Sequence, residues 1–220
     1  MSSPASIAAP AAKRVRLPKA LALAVILLVA IAFVLKYVFH YYLNYNPAGF
    51  GPHWMDRGTL LVHITGGMVA LLIGPWQFSQ RLRQRHLQLH RLLGRVYLIA
   101  VLCGSLAAFR LAVTTTFGAM WGFSLFSMAL AWITCASMAF YAVKQRQIQV
   151  HQEWMVRTYV VTFGFVTFRL LNDIGPTSRI GSDAERGDVY IWACWVLPLL
   201  AAEVIMQLRR MRRMAGTARG

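Results

Sequence analysis

The sequence predicts an all-α fold, a polytopic membrane bundle of six transmembrane helices, and three observations support this fold class. Apolar residues make up 58% of the 220 positions and charged residues only 14%, whereas charged residues make up about a quarter of soluble domains. Six stretches are long and apolar enough to cross a hydrocarbon core about 30 Å thick. The basic residues, which give a formal net charge of +16, fall in short clusters between those stretches. Such spacing indicates membrane topology and argues against nucleic acid as a partner.

The predicted spans divide the chain into a bundle and two tails. The spans cover residues 20–38, 60–78, 96–115, 120–143, 155–171 and 189–208. Residues 1–19 are predicted to form a flexible basic tail, residues 20–208 the bundle, and residues 209–220 a second basic tail. With six spans, the basic clusters lie on one side, which the positive-inside rule assigns to the cytoplasm. We expect a multi-pass protein of the bacterial inner membrane, in contact with the lipid bilayer, with both termini cytoplasmic. Its oligomeric state is left open.

The first span follows a basic cluster, as the apolar region of a signal peptide would. It is long, however, and continues into LKYVFHYYLNY without a small-residue cleavage site. We therefore predict an uncleaved first helix. Its tyrosines fall at the outer boundary of the membrane, where amphipathic rings prefer to lie.

The second span has a face of small residues. His63, Gly67, Ala70 and Gly74 recur at steps of four, three and four, with Gly66 beside them. Small residues let another helix or a flat cofactor approach the backbone, and simple helix packing explains the glycines alone. His63 adds a functional hypothesis, because an ionisable side chain inside a membrane is expensive.

Spans three to six place their polar residues in two layers. The outer layer, with the second span, contains His63, Arg110, Arg169 and Asp173. The inner layer contains His86, His90, Arg91, His151, Glu153 and Arg157. From the rise of a helix, His63 lies about 25–30 Å from the level of the inner histidines. The two layers therefore predict two separate sites that cannot share one metal ion.

The fourth span is uncharged and rich in Met, Trp and Phe, a composition typical of packing core. Met120 and Met128 are thioethers that are able to ligate iron. The cysteines, Cys103, Cys135 and Cys194, show neither a CxxC nor a CxxCH pattern. They are interpreted as small core residues, which argues against structural disulfides and thiolate metal sites.

Five segments together resemble a known family. HITGGMVALLIGPWQF, HRLLGRVY, FRLAV, HQEWMVRTY and FRLL, in this order, look like the bacterial integral-membrane family catalogued as domain of unknown function 2306. The resemblance covers about residues 60–171. It implies a multi-helix inner-membrane protein and brings no established activity.

A looser resemblance is to di-haem membrane cytochromes b, including the transmembrane ascorbate ferrireductase type. It implies that His90 and His151 are the inner axial ligands of haem b, with Arg91 and Arg157 available to its propionates. The outer pair is incomplete, because the second span offers His63 while the fourth has no histidine. A second haem would need Met120 or Met128 as its other ligand.

The resemblance to cytochromes b implies a b-type cytochrome-like electron-transfer module with an inner haem site. In the outer layer, His63, Arg110, Arg169 and Asp173 are predicted to line a pocket for an anionic or quinone-like ligand or another redox partner, with His63 passing protons. The alternative is a cofactor-free structural or assembly subunit whose histidines and arginines only set its depth in the bilayer. A transporter would show broken helices or an inverted repeat, and the sequence indicates neither. A hydrolase is disfavoured, because GxSxG and HExxH motifs are absent.

Overall fold

The computed structural model describes residues 19–174 and 181–217. Within those residues every regular element is a helix. The structure thus confirms the predicted fold class, a bundle of membrane helices. Several basic residues used to predict topology lie outside the described residues: Lys13, Arg14, Arg16, Arg179 and Arg219.

We number the main helices of the described segments in chain order. They are α1 (Lys19–Phe33), α2 (Arg57–Gln77), α3 (Leu87–Thr114), α4 (Ala119–Lys144), α5 (Ile148–Thr162), α6 (Gly164–Ile174) and α7 (Asp183–Thr217). Helix α1 continues through a π-helical turn, Val34–Val38, into a last turn, Phe39–Leu43. Shorter helical segments lie in the connections: Pro47–Phe50, Gly51–His53 and Gln80–Arg85.

Five helices in the described ranges are long and apolar enough to cross a membrane. They are Leu21–Leu43, Arg57–Gln77, Leu87–Thr114, Ala119–Lys144 and Asp183–Ala215, and they overlap five of the predicted spans. The remaining predicted span, residues 155–171, coincides with α5 and α6, which have 15 and 11 residues. The count of six spans and the cytoplasmic placement of the termini stay predictions.

The interruption at Phe163, between α5 and α6, differs from the unbroken span that the sequence indicated. Three threonines surround it. Thr158, Thr162 and Thr167 each donate their hydroxyl to the carbonyl four residues earlier, at 2.8, 2.9 and 3.3 Å. Such bonds bend helices because the side chain shares a carbonyl with the backbone ladder. The break therefore has a local cause that apolar periodicity does not reveal.

We call the two ends of the bundle outer and inner, after the predicted orientation. The outer end holds the connections at residues 44–56 and 115–118, and the inner end holds those at 78–86 and 145–147. Helix α3 begins at Leu87, nine residues before the predicted span, so that His90 lies in its first turn. Helix α7 likewise extends beyond residues 189–208 at both ends. Polar helix ends reach water, and apolar windows do not detect them.

Small residues hold α2 against its neighbours. A Cβ on Gly66 would lie 2.6 Å from the Ala100 carbonyl oxygen, and one on Gly74 would lie 2.0 Å from the Tyr159 ring. At Gly67, by contrast, a Cβ would meet no atom within 4 Å. The small-residue face therefore serves helix packing at Gly66 and Gly74 and faces open space at Gly67.

Helix α1 packs on α2 and α6 through an apolar cluster that includes Ala30, and its π-helical turn adds polar contacts. Lys36 Nζ lies 3.0 Å from a carboxylate oxygen of Asp173 on α6, and the Tyr37 hydroxyl donates to the same oxygen. The Tyr37 ring also lies under the Arg169 guanidinium, 5.3 Å away. A π-helical turn shifts the register of a helix, and here it lies where α1 meets α6 near the outer end.

Candidate functional site: a cavity in the outer half of the bundle

A cavity of about 450 Å³ lies among helices α1 to α6, and the outer connections contribute to its wall. Most of its lining is aliphatic or aromatic, including Trp121, Trp132, Phe165 and Phe168. Protein interiors contain few voids larger than a water molecule. A volume of this size falls in the range of about 300–1,000 Å³ that is typical of ligand pockets.

His63 presents one edge of its imidazole to this cavity. Its Nδ1 lies 2.9 Å from the carbonyl oxygen of Gly104 on α3, and its ring meets that of Phe165 at 5.9 Å between centroids. The close approach of Gly66 to α3, one turn along α2, brings the histidine within reach of that carbonyl. In the described part of the chain, Nε2 has no hydrogen-bond partner.

Arg169 is the second polar group of the cavity lining. Among the residues that the structure describes, it has no hydrogen-bond or salt-bridge partner; its guanidinium lies over the Tyr37 ring and within electrostatic reach of Asp173. Arg57 and Arg157 are engaged differently. The first bonds the Tyr45 hydroxyl and the Trp54 carbonyl, and the second bonds Glu203. The Arg169 guanidinium therefore retains donors for a ligand.

The other two predicted outer residues are not part of the cavity lining. Arg110 pairs with Asp56 at 3.2 Å, and 65% of its side chain is exposed. Asp173 is committed to Lys36 and Tyr37. The structure thus brings His63 and Arg169 to one cavity, while Arg110 and Asp173 lie beside it in ion pairs.

The deep side of the cavity is organised around Thr162, at the end of α5. Its hydroxyl donates to the Thr158 carbonyl and accepts the indole N–H of Trp132 at 2.9 Å. The buried Tyr97 hydroxyl lies 3.1 Å from the same oxygen. Because these bonds occupy the hydroxyl, Thr162 fixes the positions of Trp132 and Tyr97 and has little capacity left for a ligand.

His53 lies on the outer side of the cavity, in the short helical turn before α2. Its ring contacts that of Phe117, with 5.8 Å between centroids. Burial lowers the pKa of His53, and the nearby Asp56 carboxylate opposes this shift only in part. At neutral pH the residue therefore contributes a neutral ring to the rim of the cavity.

The predicted inner residues lie far from this cavity. His63 lies at the level of Gly104, whose carbonyl oxygen it contacts. His90 precedes Gly104 on α3 by 14 residues, which corresponds to about 21 Å along the helix. His151 places Nδ1 2.8 Å from the Ala139 carbonyl oxygen, whereas Nδ1 of His90 is buried without a partner. The separation agrees with two distinct levels.

The inner histidines fit haem ligation unevenly. An axial histidine typically donates its second ring N–H to a carbonyl, and His151 makes that bond while His90 does not. Arg157, predicted to bind a propionate, instead donates two hydrogen bonds to Glu203 at 2.9 and 2.6 Å. Arg91 is exposed. In the described residues no group of three or more His, Cys, Asp or Glu side chains is placed to hold a metal ion.

The two methionines proposed as iron ligands separate in the fold. Met128 is buried and lines the cavity that contains His63. Met120 is 55% exposed and lies outside that cavity. Only Met128 therefore shares a site with His63.

Most of the cavity wall could not be predicted from the sequence. Trp121, Trp132 and Thr162 read as ordinary apolar or helical positions, and no linear signal marks them as lining residues. His53 offered a signal, because it is an ionisable residue in the outer connection directly before α2. Its place at the rim depends on how that connection folds back toward Phe117.

Comparisons with known proteins identify a family and no activity. A family model described as "Predicted membrane protein (DUF2306)" matches residues 60–206, which is more than half of the chain. No curated protein and no solved structure matches the chain. The resemblance to di-haem cytochromes b gains no support from these comparisons. Helix α1 lies outside the matched region, although Phe33 and Tyr37 on it help to line the cavity.

Proposed function

The chain belongs to the DUF2306 family of predicted membrane proteins, and we propose that it binds a ring-shaped, largely apolar redox molecule of the quinone class in the outer cavity. The observation that supports this proposal is the cavity of about 450 Å³ with aromatic walls and two polar groups, His63 and Arg169, that have free hydrogen-bonding capacity. Apolar walls with a few convergent polar groups are the usual composition of a small-molecule site.

The placement of the two polar groups favours a ring with oxygens on opposite sides. His63 contacts Phe165, and Arg169 follows Phe165 by four residues on α6. Four residues of an α-helix rise about 6 Å, so Arg169 leaves α6 about that far along the helix from Phe165, the residue that His63 contacts. His63 and Arg169 are therefore offset along the cavity, and a ring with oxygens on opposite sides can present one oxygen to each. The aromatic walls can stack on the ring.

A phospholipid tail is a less suitable occupant. An acyl chain would fill the apolar volume but would leave His63 Nε2 and the Arg169 donors without partners, and unmet polar groups in an apolar site cost free energy. A molecule of the quinone class places an oxygen at each position, as a hydroxyl in its reduced form, and reaches the cavity from the bilayer in which it dissolves.

The proposal is tested by a substitution that fills the cavity without disturbing helix α2. Gly67 lines the cavity, and a Cβ there meets no atom within 4 Å; Gly67→Leu therefore places a side chain in the ligand's volume. Gly58→Leu is the matched control, because Gly58 lies on the same helix with equally open surroundings and outside the cavity. The full chain in nanodiscs is titrated with a decyl-substituted benzoquinone, and quenching of tryptophan fluorescence is followed, since Trp121 and Trp132 line the site.

We expect saturable quenching in the wild type and in Gly58→Leu, and a loss of at least tenfold in affinity in Gly67→Leu. Equal titrations of all three proteins would contradict the proposal, as would linear, unsaturable quenching of the wild type. In those cases the cofactor-free structural subunit becomes the better description.

An inner haem b site is the second candidate function. The bond from His151 Nδ1 to the Ala139 carbonyl, which leaves Nε2 for a metal, favours it. His90, which lies within electrostatic reach of His151, would be the second ligand, and Arg91 is an exposed cation near His90. A bound haem would supply one-electron transfer.

The haem proposal has a direct spectroscopic test. Protein expressed with ample haem is purified, and its dithionite-reduced minus oxidised absorption spectrum is recorded together with the haem content per chain. A sharp b-type α-band that disappears in His90→Ala and in His151→Ala is the expected result. A colourless protein would contradict it without affecting the outer cavity.

A further inference from the structure

We infer that the outer cavity selects the reduced, hydroxyl-bearing form of its ligand, the quinol, over the quinone, and that His63 is the residue that makes the choice. This inference rests on the proposed function and refines it from a ligand class to one redox form. The hydrogen bond between His63 and Gly104 is the observation behind it.

The Gly104 carbonyl fixes the tautomer of His63. A carbonyl oxygen can only accept, so the 2.9 Å contact requires that Nδ1 carry the hydrogen. In the neutral imidazole, Nε2 then holds a lone pair and is an acceptor. A second proton would place an unpaired charge among apolar side chains such as Phe165 and Ile64, which costs free energy. The cavity therefore offers an acceptor at His63.

The other polar groups of the lining do not reverse this preference. The Thr162 hydroxyl is occupied by the Thr158 carbonyl and the Trp132 indole. The Asn172 amide donates to the Phe168 carbonyl and the Tyr37 hydroxyl to Asp173, while Tyr41 and His53 line the cavity at its outer end. Arg169 offers only donors. One end of the ligand thus faces an acceptor at His63, and the end toward Arg169 faces donors.

A quinol satisfies both ends, and a quinone satisfies one. A quinol hydroxyl donates to His63 Nε2, and the oxygen of its second hydroxyl accepts from Arg169. A quinone carries two carbonyl oxygens, so one of them would face the lone pair of Nε2 with no hydrogen between them. Two acceptors that face each other without a hydrogen cost free energy relative to the quinol complex. The dissociation constants of quinone and quinol should therefore differ by about tenfold, which corresponds to about 1.4 kcal/mol.

The experiment compares three ligands on the full chain in nanodiscs under oxygen-free conditions. They are a decyl-substituted benzoquinone, its quinol, and the dimethyl ether of the quinol, which keeps the ring and lacks both hydroxyl donors. Dissociation constants are measured by isothermal titration calorimetry for the wild type, His63→Leu and Arg110→Gln. Arg110 lies outside the cavity lining and is the control for charge at the outer end.

We expect the wild type and Arg110→Gln to bind the quinol about tenfold more tightly than the quinone or the dimethyl ether. In His63→Leu, the ratio should fall to about one. If His63→Leu fails to fold, the comparison of the quinol with its dimethyl ether on the wild type still tests the selection of the quinol. The ether lacks the hydroxyl hydrogen and so removes the same hydrogen bond from the ligand side.

The outcomes separate the inference from the proposed function. Tight binding of all three ligands with equal constants would overturn the selection of the quinol and leave quinone-class binding intact. A quinol preference that survives in a folded His63→Leu protein would overturn the role of His63. Failure of the wild type to bind any of the three would overturn both.

Discussion

Replacing Gly66 by alanine tests the close helix contact on which the position of His63 depends. The new Cβ would lie 2.6 Å from the Ala100 carbonyl oxygen and 3.1 Å from the Gly104 Cα. Both atoms belong to the backbone of α3, so no side-chain rotation can relieve the contact. The two helices must separate by several tenths of an ångström to reach the ordinary contact distance of 3.4 Å.

The free-energy cost follows from three contributions. Overpacking of this kind costs about 1–3 kcal/mol. The separation also strains the His63–Gly104 hydrogen bond, and such bonds in membrane proteins contribute about 0.6 kcal/mol on average. Alanine offsets about 0.5–1 kcal/mol through its better helix propensity. We therefore expect Gly66→Ala to lower the free energy of unfolding by about 1–3 kcal/mol.

The assay is reversible unfolding in mixed micelles of increasing denaturing-detergent content, with tryptophan fluorescence as the signal. Gly67→Ala is the matched control, because it makes the same chemical change one residue along, where a Cβ meets no atom within 4 Å. It should match or slightly exceed the stability of the wild type. A Gly66→Ala protein as stable as Gly67→Ala would refute the close approach of α2 and α3.

Two further predictions concern the inner and outer ends. Arg157→Met and Glu203→Gln should each destabilise the protein. A double-mutant cycle should give a coupling energy of about 1 kcal/mol, which is modest because 38% of the Glu203 side chain is exposed. Additive effects of the two substitutions would contradict the ion pair. Because burial lowers the pKa of His53, the unfolded state binds its proton more readily. Unfolding free energy should therefore fall as pH drops below about 6.5, toward the lowered pKa. His53→Gln should weaken this dependence in pH-dependent unfolding curves, and an identical dependence in both proteins would contradict the assignment.

The positions of the helices could be predicted because a membrane span needs a long apolar window. Helices α2 and α4 lie close to the predicted residues 60–78 and 120–143. Two features of the helices could not be predicted from apolar windows. The break at Phe163 is flanked by threonine hydroxyls that bond within the helix, and the π-helical turn in α1 contacts α6, which is distant in sequence.

The candidate site was predictable only in part. His63 and Arg169 were singled out because ionisable groups inside a span are expensive, and both line the cavity. The same argument selected Arg110, but that residue reaches Asp56 in the outer connection, a partner that sequence spacing does not identify. The aromatic walls depend on which helix faces meet, and that information is in the tertiary packing rather than in periodicity.

The most direct test of the central claim is to locate the ligand. A photoreactive benzoquinone is added to the full chain in nanodiscs and activated, and its adducts are mapped by peptide mass spectrometry with and without excess unlabelled quinol. We predict adducts on cavity-lining segments, including those that contain Trp121 and Phe165, which unlabelled quinol suppresses. Adducts confined to exposed residues such as Phe123 and Leu130, or labelling that quinol does not suppress, would contradict a quinone-class site in the cavity.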